Sequence, residues 1–213
     1  MKILILSATA FEVAPLREAI QNSPEHDIDF LEAGIGMLAT CFKLQQWLQH
    51  NPCDLIIQAG IAGAFNVSKH PIGSVVEVQS ERIGDLGALF PDGHFEDVFE
   101  LGLSHADAFP FQAGTLKNPK TYTDLVQVQS LSVNAVNGKQ AQIDKISRKY
   151  AVDIESMEGA ALFYTAFQLG IPCVQFRSIS NLIEDRDKAN WNIPLAIEKL
   201  NDFLLSFLSQ ILS

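Results

Sequence analysis

The sequence predicts one α/β domain built around a central, largely buried sheet, and three observations carry that expectation. Short apolar runs alternate with stretches of helical period from the first residue onward. The third apolar run enters a glycine-rich segment, as strands of such sheets do on their way to a site. The chain has 213 residues, 47% of them hydrophobic, which suits one substantial core and not two. Residues 1–213 are therefore read as a single domain, without repeat, low-complexity tract or linker.

Lys2–Leu6 is a short buried-strand candidate, followed by a helix over about Phe11–Gln21 and a strand at Ile28–Leu31. Met37–His50 carries Leu38, Cys41, Leu44 and Leu48 at helical spacing, predicting one apolar face turned inward. Asp54–Gln58 is a third strand, running into a turn at Ala59-Gly60-Ile61-Ala62-Gly63-Ala64. The middle loses this rhythm. Gly73–Val78 is β-rich, and Val126–Val133 alternates in part, like a strand with one wetter face. Between them Ile83–Lys120 has no sustained period and reads as surface loops or as a substrate-side lid. Some ordered pieces are expected inside it, because a structureless loop that long is unusual in a compact domain. Order returns with a helix over about Lys139–Lys149 and a strand at Ala151–Ile154. Ser156 is placed to cap a helix that runs to Leu169 and stops at Gly170, before Pro172. Cys173–Arg177 is the last strand, feeding Ser178-Ile179-Ser180-Asn181. Asn192 is placed to cap a final helix whose Ile197, Leu200, Leu204, Leu208 and Ile211 form a stripe suited to the sheet.

Lys and Arg total 15 against 25 Asp and Glu, a formal charge of −10. Such a surface repels nucleic acid and anionic membranes, so neither is expected as a partner, although a local basic pocket for a small anion is compatible with it. The N-terminal residues lack the apolar stretch and cleavage site of a signal peptide, and no run approaches a membrane span. Cys41, Cys53 and Cys173 lie far apart and read as reduced small hydrophobes, so a cytoplasmic protein is expected. The five histidines are equally scattered, and no metal site is expected.

Four groups of residues are candidates for chemistry, each with a plain structural alternative. Gly60 and Gly63 either make a turn or let the backbone approach a ligand; the segment is neither GxGxxG nor a phosphate loop. Thr9-Ala10-Phe11-Glu12 reads as a capping box, or as a carboxylate held beside the end of the first strand, and the two roles are compatible. Asp153, Glu155 and Glu158 surround a strand-to-helix transition, where acidic residues complement the helix dipole. Glu158, between Met157 and Gly159, equally suits a cleft in which a carboxylate accepts paired ribose hydroxyls. Arg177, Ser180 and Asn181 suit an anion anchor, a water-orienting hydroxyl and a reader of a heteroaromatic edge, or else a capped strand-end turn.

At these residues the sequence resembles the purine nucleoside phosphorylase and nucleosidase family. The matching stretches are Ile3–Glu12, Gln58–Ala64, Met157-Glu158-Gly159 and Arg177–Asn181, and Asp185-Arg186-Asp187 followed by Trp191 points to the branch that acts on futalosine. The resemblance implies a single-domain, three-layer α/β fold with a twisted mixed sheet, partly closed into a barrel and flanked by helices. It implies attack at the anomeric carbon of a ribosyl–purine bond without cofactor or metal. Glu12 would position and deprotonate water, and Glu158 would bind the ribose hydroxyls, with Met157 against the sugar. Ala62 and Gly63 would line the pocket, Val136 would offer an apolar face to the base, and Arg177 and Ser180 would order the water side.

Two departures refine the expectation. Asn181 stands where related adenine-releasing nucleosidases carry aspartate, and its amide suits a 6-oxopurine such as hypoxanthine. Ser7-Ala8-Thr9-Ala10-Phe11-Glu12 stands where phosphorylases of the family carry Gly-Asp-Pro-x-Arg, and a carboxylate there favours water over phosphate. The competing expectations are an adenine-releasing nucleosidase and a non-enzymatic nucleoside sensor. The family also implies a homo-oligomer, a dimer or an assembly of dimers, and a small purine nucleoside as partner.

Overall fold

A computed structural model describes residues 1–21, 27–136, 138–185 and 190–212. Strand β1 (Ile3–Ser7) is buried throughout and leads to helix α1 (Ala10–Gln21), strand β2 (Ile28–Glu32) and helix α2 (Met37–Leu48). The long strands β3 (Leu55–Ala64) and β4 (Val75–Ile83) follow, then β5 (Gly87–Leu89), β6 (Phe95–Asp97), β7 (Leu116–Lys117) and β8 (Gln127–Ser132). Helix α3 (Gln140–Tyr150), β9 (Ile154–Ser156), α4 (Gly159–Leu169), β10 (Cys173–Leu182) and α5 (Ile193–Leu212) complete the chain.

β1 pairs in parallel with β2 on one side and β3 on the other. β3, β10, β4, β8 and β9 pair in succession, and β9 returns to β3, so these strands close on themselves as a barrel while β1 and β2 extend it as an open sheet. Alternation along β1 separates two cores: Leu4 and Leu6 pack with Leu44, Leu162 and Phe163 of α2 and α4, while Ile3 and Ile5 pack with Leu16, Leu200 and Leu204 of α1 and α5. The expected three-layer arrangement with a partly closed mixed sheet is present. The 83–120 region holds the β5–β6 hairpin and β7, which pairs with β4. Asn192 caps α5 as expected, its Oδ1 accepting the Leu195 N–H at 3.2 Å.

Five local expectations need correction. The glycine segment is no turn: β3 runs through it to Ala64, because β10 and β9 supply partners for its backbone on both sides. β10 likewise continues through Ser178–Asn181 to Leu182. Ser156 does not cap α4; the Ala160 N–H is taken by Ser132 Oγ of β8 at 2.8 Å, a partner 28 positions away. The strand placed at Ala151–Ile154 begins only at Ile154, since Ala151 closes α3 in a left-handed conformation (φ 48°). Leu38 does not join the α2 inner face but is 85% exposed; Leu44 is buried as expected, together with Thr40.

Candidate active site

The site lies along β3, where α1, α4 and β10 bring side chains to the Gly60–Gly63 stretch. Register explains both glycines. Arg177 sits opposite Gly60, and Asn181 sits opposite Gly63 after an irregularity between Ile179 and Asn181 re-aims the strand. A Cβ at Gly60 would stand 2.9 Å from Glu12 Oε1 and nearer still to Arg177 Nη1. One at Gly63 would stand 3.2 Å from Asn181 Nδ2 and 2.8 Å from Ile183 Cγ1. Close approach of side chains, rather than unusual dihedrals, is what these glycines permit.

Glu12 fills both roles left open by its sequence. Its Oε2 accepts from the Thr9 N–H (3.0 Å) and the Thr9 hydroxyl (3.2 Å), half of a capping box. Its Oε1 turns the other way and accepts the Ile61 N–H of β3 at 3.3 Å. Burial is the main influence and raises its pKa above the ordinary carboxylate value; Arg177 and the Thr9 and Ile61 hydrogen bonds oppose the shift, and the Glu158 charge adds to it.

The backbone that carries Glu12 is held by a device that sequence reasoning missed. α1 runs through Pro15, whose missing N–H leaves the Phe11 carbonyl without its usual intrahelical donor. Asn201 of α5, itself buried, clasps the next turn: its Oδ1 accepts the Leu16 N–H and its Nδ2 donates to Glu12 O, each at 2.9 Å. A polar residue within an otherwise apolar helical stripe was the available signal.

Glu158 occupies the N-cap position of α4. Its Oε1 accepts the Gly36 N–H at 3.1 Å, and its Oε2 lies 3.6 Å from Arg177 Nη1. Arg177 is 1% exposed. Its Nε donates to Gln175 Oε1 (2.8 Å), its Nη2 to Gln58 Oε1 (3.2 Å) and its Nη1 to Ile61 O (3.5 Å). Gln58 and Gln175 are cross-strand neighbours that sequence reasoning also missed.

Farther along β3, the Ser180 hydroxyl lies between Ala62 O (3.2 Å) and Asn181 Oδ1 (2.7 Å), and Asn181 Nδ2 donates to Leu182 O at 2.8 Å. The amide thus retains one hydrogen and one lone pair beyond those contacts. Ala62 is buried, Gly63 is partly open, and Met157 is half-buried directly before Glu158. Val136 is 37% exposed, after a turn in which Asp85 accepts the Asn134 and Ala135 N–H groups. Asp185 accepts the first N–H of α3, that of Gln140, at 2.8 Å. Arg186 and Asp187 of the expected tail motif, like Asn137 beside Val136, lie outside the described residues.

Glu12, Glu158 and Arg177 are thus gathered into one cluster, with Asn181 and Ser180 about 7–10 Å along β3 at strand rise. Among the described residues no group of three His, Cys, Asp or Glu side chains could hold a metal ion, and no helix is long and apolar enough to cross a membrane.

Known proteins resemble this chain in sequence and in fold. Futalosine hydrolase of Acidothermus cellulolyticus is 31% identical over 216 residues, covering 94% of this chain and 87% of that protein. Two solved structures share the fold: futalosine hydrolase of Helicobacter pylori (TM-score 0.80, 15% identity, 99% and 98% of the two chains), and 5'-methylthioadenosine/S-adenosylhomocysteine nucleosidase of the same organism with butyl-thio-DADMe-Immucillin-A (TM-score 0.82, 15% identity, 99% and 98%). The phosphorylase superfamily matches over residues 2–209, nearly the full length of this chain. The protein belongs to the phosphorylase superfamily.

Proposed function

We propose that the protein hydrolyses the N-glycosidic bond of futalosine, releasing hypoxanthine and dehypoxanthine futalosine, as a cytoplasmic step of menaquinone biosynthesis. The observation that carries this reading is the Glu12 carboxylate, fixed from both sides at the β3 backbone beside Glu158 and Arg177. Relatives that bear the futalosine hydrolase name support the choice of substrate.

Glu12 takes a proton from water as its oxygen bonds to the anomeric carbon, and the C–N bond breaks with its electron pair leaving on hypoxanthine. Solvent returns a proton to the base. Positive charge develops on the ribose, and Glu158 stabilises it while accepting hydrogen bonds from the sugar hydroxyls. Met157 packs against the sugar, and Ala62, Gly63 and Val136 line the sugar and base. Asn181, held by Ser180, offers its remaining hydrogen and lone pair to the imidazole edge and the 6-oxo group. Water is favoured over phosphate as the nucleophile. The Arg177 guanidinium is committed to Gln175, Gln58, Ile61 and Glu158, and the ionised Glu12 repels an anion.

We assign the exposed apolar side chains Ile35 (65%), Leu38 (85%) and Phe42 (65%) to contact between two copies of the chain. Leu38 and Phe42 share one face of α2, and Ile35 adjoins Gly36, whose N–H holds Glu158, so this interface would border the sugar site.

The test is a substrate panel of futalosine, inosine, methylthioadenosine and aminodeoxyfutalosine, with released bases measured directly. Futalosine is expected to be cleaved fastest. Asn181→Asp is expected to shift the ratio toward the 6-amino substrates, and an unchanged ratio would count against the base-edge role. Faster adenine release from either 6-amino substrate would replace this reading with the adenine-releasing one, and binding without cleavage would replace it with a sensor.

A further inference from the structure

Glu81 of β4 is fully buried, has no part in the proposed cleavage, and joins two chains of hydrogen bonds that both end at the site. The first runs through the barrel. Gln175 Nε2 donates to Glu81 Oε1 at 2.9 Å, while Gln175 Oε1 accepts the Arg177 Nε–H at 2.8 Å. Arg177 carries that orientation to Gln58 and Glu158. The second runs beneath α4. Ser132 Oγ donates to Glu81 Oε2 at 2.9 Å and accepts the Ala160 N–H at 2.8 Å, fixing the helix start that carries Glu158. Gly159 makes the room, since a Cβ there would fall on Glu81 Oε1.

Counting donors fixes the polarity. Arg177 Nε has only a hydrogen to give, so the Gln175 atom facing it is oxygen and the atom facing Glu81 is nitrogen. Ser132 Oγ already accepts from Ala160, so its own hydrogen points to Glu81. Two donors converge on Glu81, and an ionised carboxylate satisfies both. An amide at this position brings a donor of its own, and the simplest relief is a flip of Gln175, which sets its NH₂ against Arg177 Nε.

We infer that Glu81 is a positioning residue for the cleavage: its carboxylate polarises Gln175 and Ser132 and so holds both the Arg177 guanidinium and the Glu158 end of α4 in place. Arg177 of β10 is the charged group that faces it, with Glu12 and Glu158 beyond that guanidinium. β8 contributes the Ser132 hydroxyl, with the Ser130 hydroxyl nearby, and α4 the Ala160 N–H through Ser132. Burial raises Glu81 to about 6, against the opposing pull of Gln175, Arg177 and the two serines. Both arms are therefore set above that pH and released below it.

This assignment rests on the nucleosidase reading, and the experiment separates the two. Futalosine cleavage, thermal unfolding and pH profiles are compared for wild type, Glu81→Gln, Gln175→Glu and the double variant. Glu81→Gln is expected to lose about 10- to 100-fold in kcat with KM within about threefold, the scale of a small misplacement, and its acid limb should show one ionisation fewer. In the double variant the new amide at 81 donates to the new carboxylate at 175, which again accepts from Arg177 Nε. Recovery to within about fivefold of wild type is expected. Wild-type kinetics in Glu81→Gln, or a loss that the double variant does not rescue, overturns the inference. If Glu81→Gln does not fold, Gln175→Met and Ser132→Ala take its place; each should lower kcat about tenfold or more, and wild-type kcat in both overturns it. In ligand-free protein the Glu81 carboxyl infrared band, identified by isotope labelling, should titrate near pH 6 and be ionised at pH 8. That result without futalosine cleavage by wild type rejects the substrate alone; a Glu81 still protonated at pH 8 rejects the inference.

Discussion

Gly60→Ala adds one methyl group at the most crowded point of the site. The new Cβ would lie 2.9 Å from Glu12 Oε1 and closer to Arg177 Nη1, where ordinary contact begins near 3.4 Å. Glu12 must then retreat by about half an ångström and the guanidinium by about one, to leave van der Waals overlap. Neither moves freely. Arg177 is tied to Gln175, Gln58 and Ile61, and Glu12 to Thr9 and Ile61. Overpacking of this kind costs about 1–3 kcal/mol of stability, and a displacement of about 1 Å at the reacting groups costs about 100-fold in rate. Gly63→Ala is the comparison, because there the nearest atom belongs to the Ile183 side chain. Urea unfolding and kcat for both variants decide the matter. Gly60→Ala should lose both stability and rate, and Gly63→Ala should lose less stability. Full activity in Gly60→Ala would refute the packing of Arg177 and Glu12 over this glycine.

Further predictions follow from the same geometry. Glu12 is raised above the ordinary carboxylate value and must be ionised to act, so the acid limb of the wild-type rate should lie above pH 4.5. A carboxylate whose folded-state value is raised contributes stability in acid that is lost as pH rises through that value, so Glu12→Gln should gain stability relative to wild type as pH rises. Thermal unfolding between pH 4 and 8 checks the sign. Asn201→Leu removes the buried amide's bonds to the Leu16 N–H and the Glu12 carbonyl and should cost about 1–3 kcal/mol in urea unfolding, with reduced kcat. Leu38→Glu with Phe42→Glu should yield monomers by sedimentation; unchanged assembly would place the interface elsewhere.

The sequence shows most clearly what depends on neighbours in the chain. The apolar run of β1, the extent of α1 and the stripe of α5 survive into the structure because local pattern and tertiary burial agree there. Leu38 misleads because periodicity alone does not say which apolar residues of a helix face inward. The Ser156 cap fails because β9 extends through Ser156 and α4 begins only at Gly159, with a β8 hydroxyl remote in sequence taking the Ala160 N–H. Gly60 and Gly63 look like a turn until strand register sets Arg177 and Asn181 against them. Glu12, Glu158, Arg177 and Asn181 could be singled out because the sequence pattern puts each at or near the end of an apolar run, although β10 in fact continues past Arg177. Glu81, Gln58 and Gln175 could not, since polar residues inside strands ordinarily mark a wet face, and only closure of the barrel buries them together.

The most direct measurement is hypoxanthine release from futalosine by purified protein, with and without inorganic phosphate, for wild type and Glu12→Gln. Equal release by wild type in both buffers, with free rather than phosphorylated sugar product and a loss of about 100-fold or more in Glu12→Gln, is the predicted result. Release that requires phosphate, or full turnover by Glu12→Gln, would contradict the account.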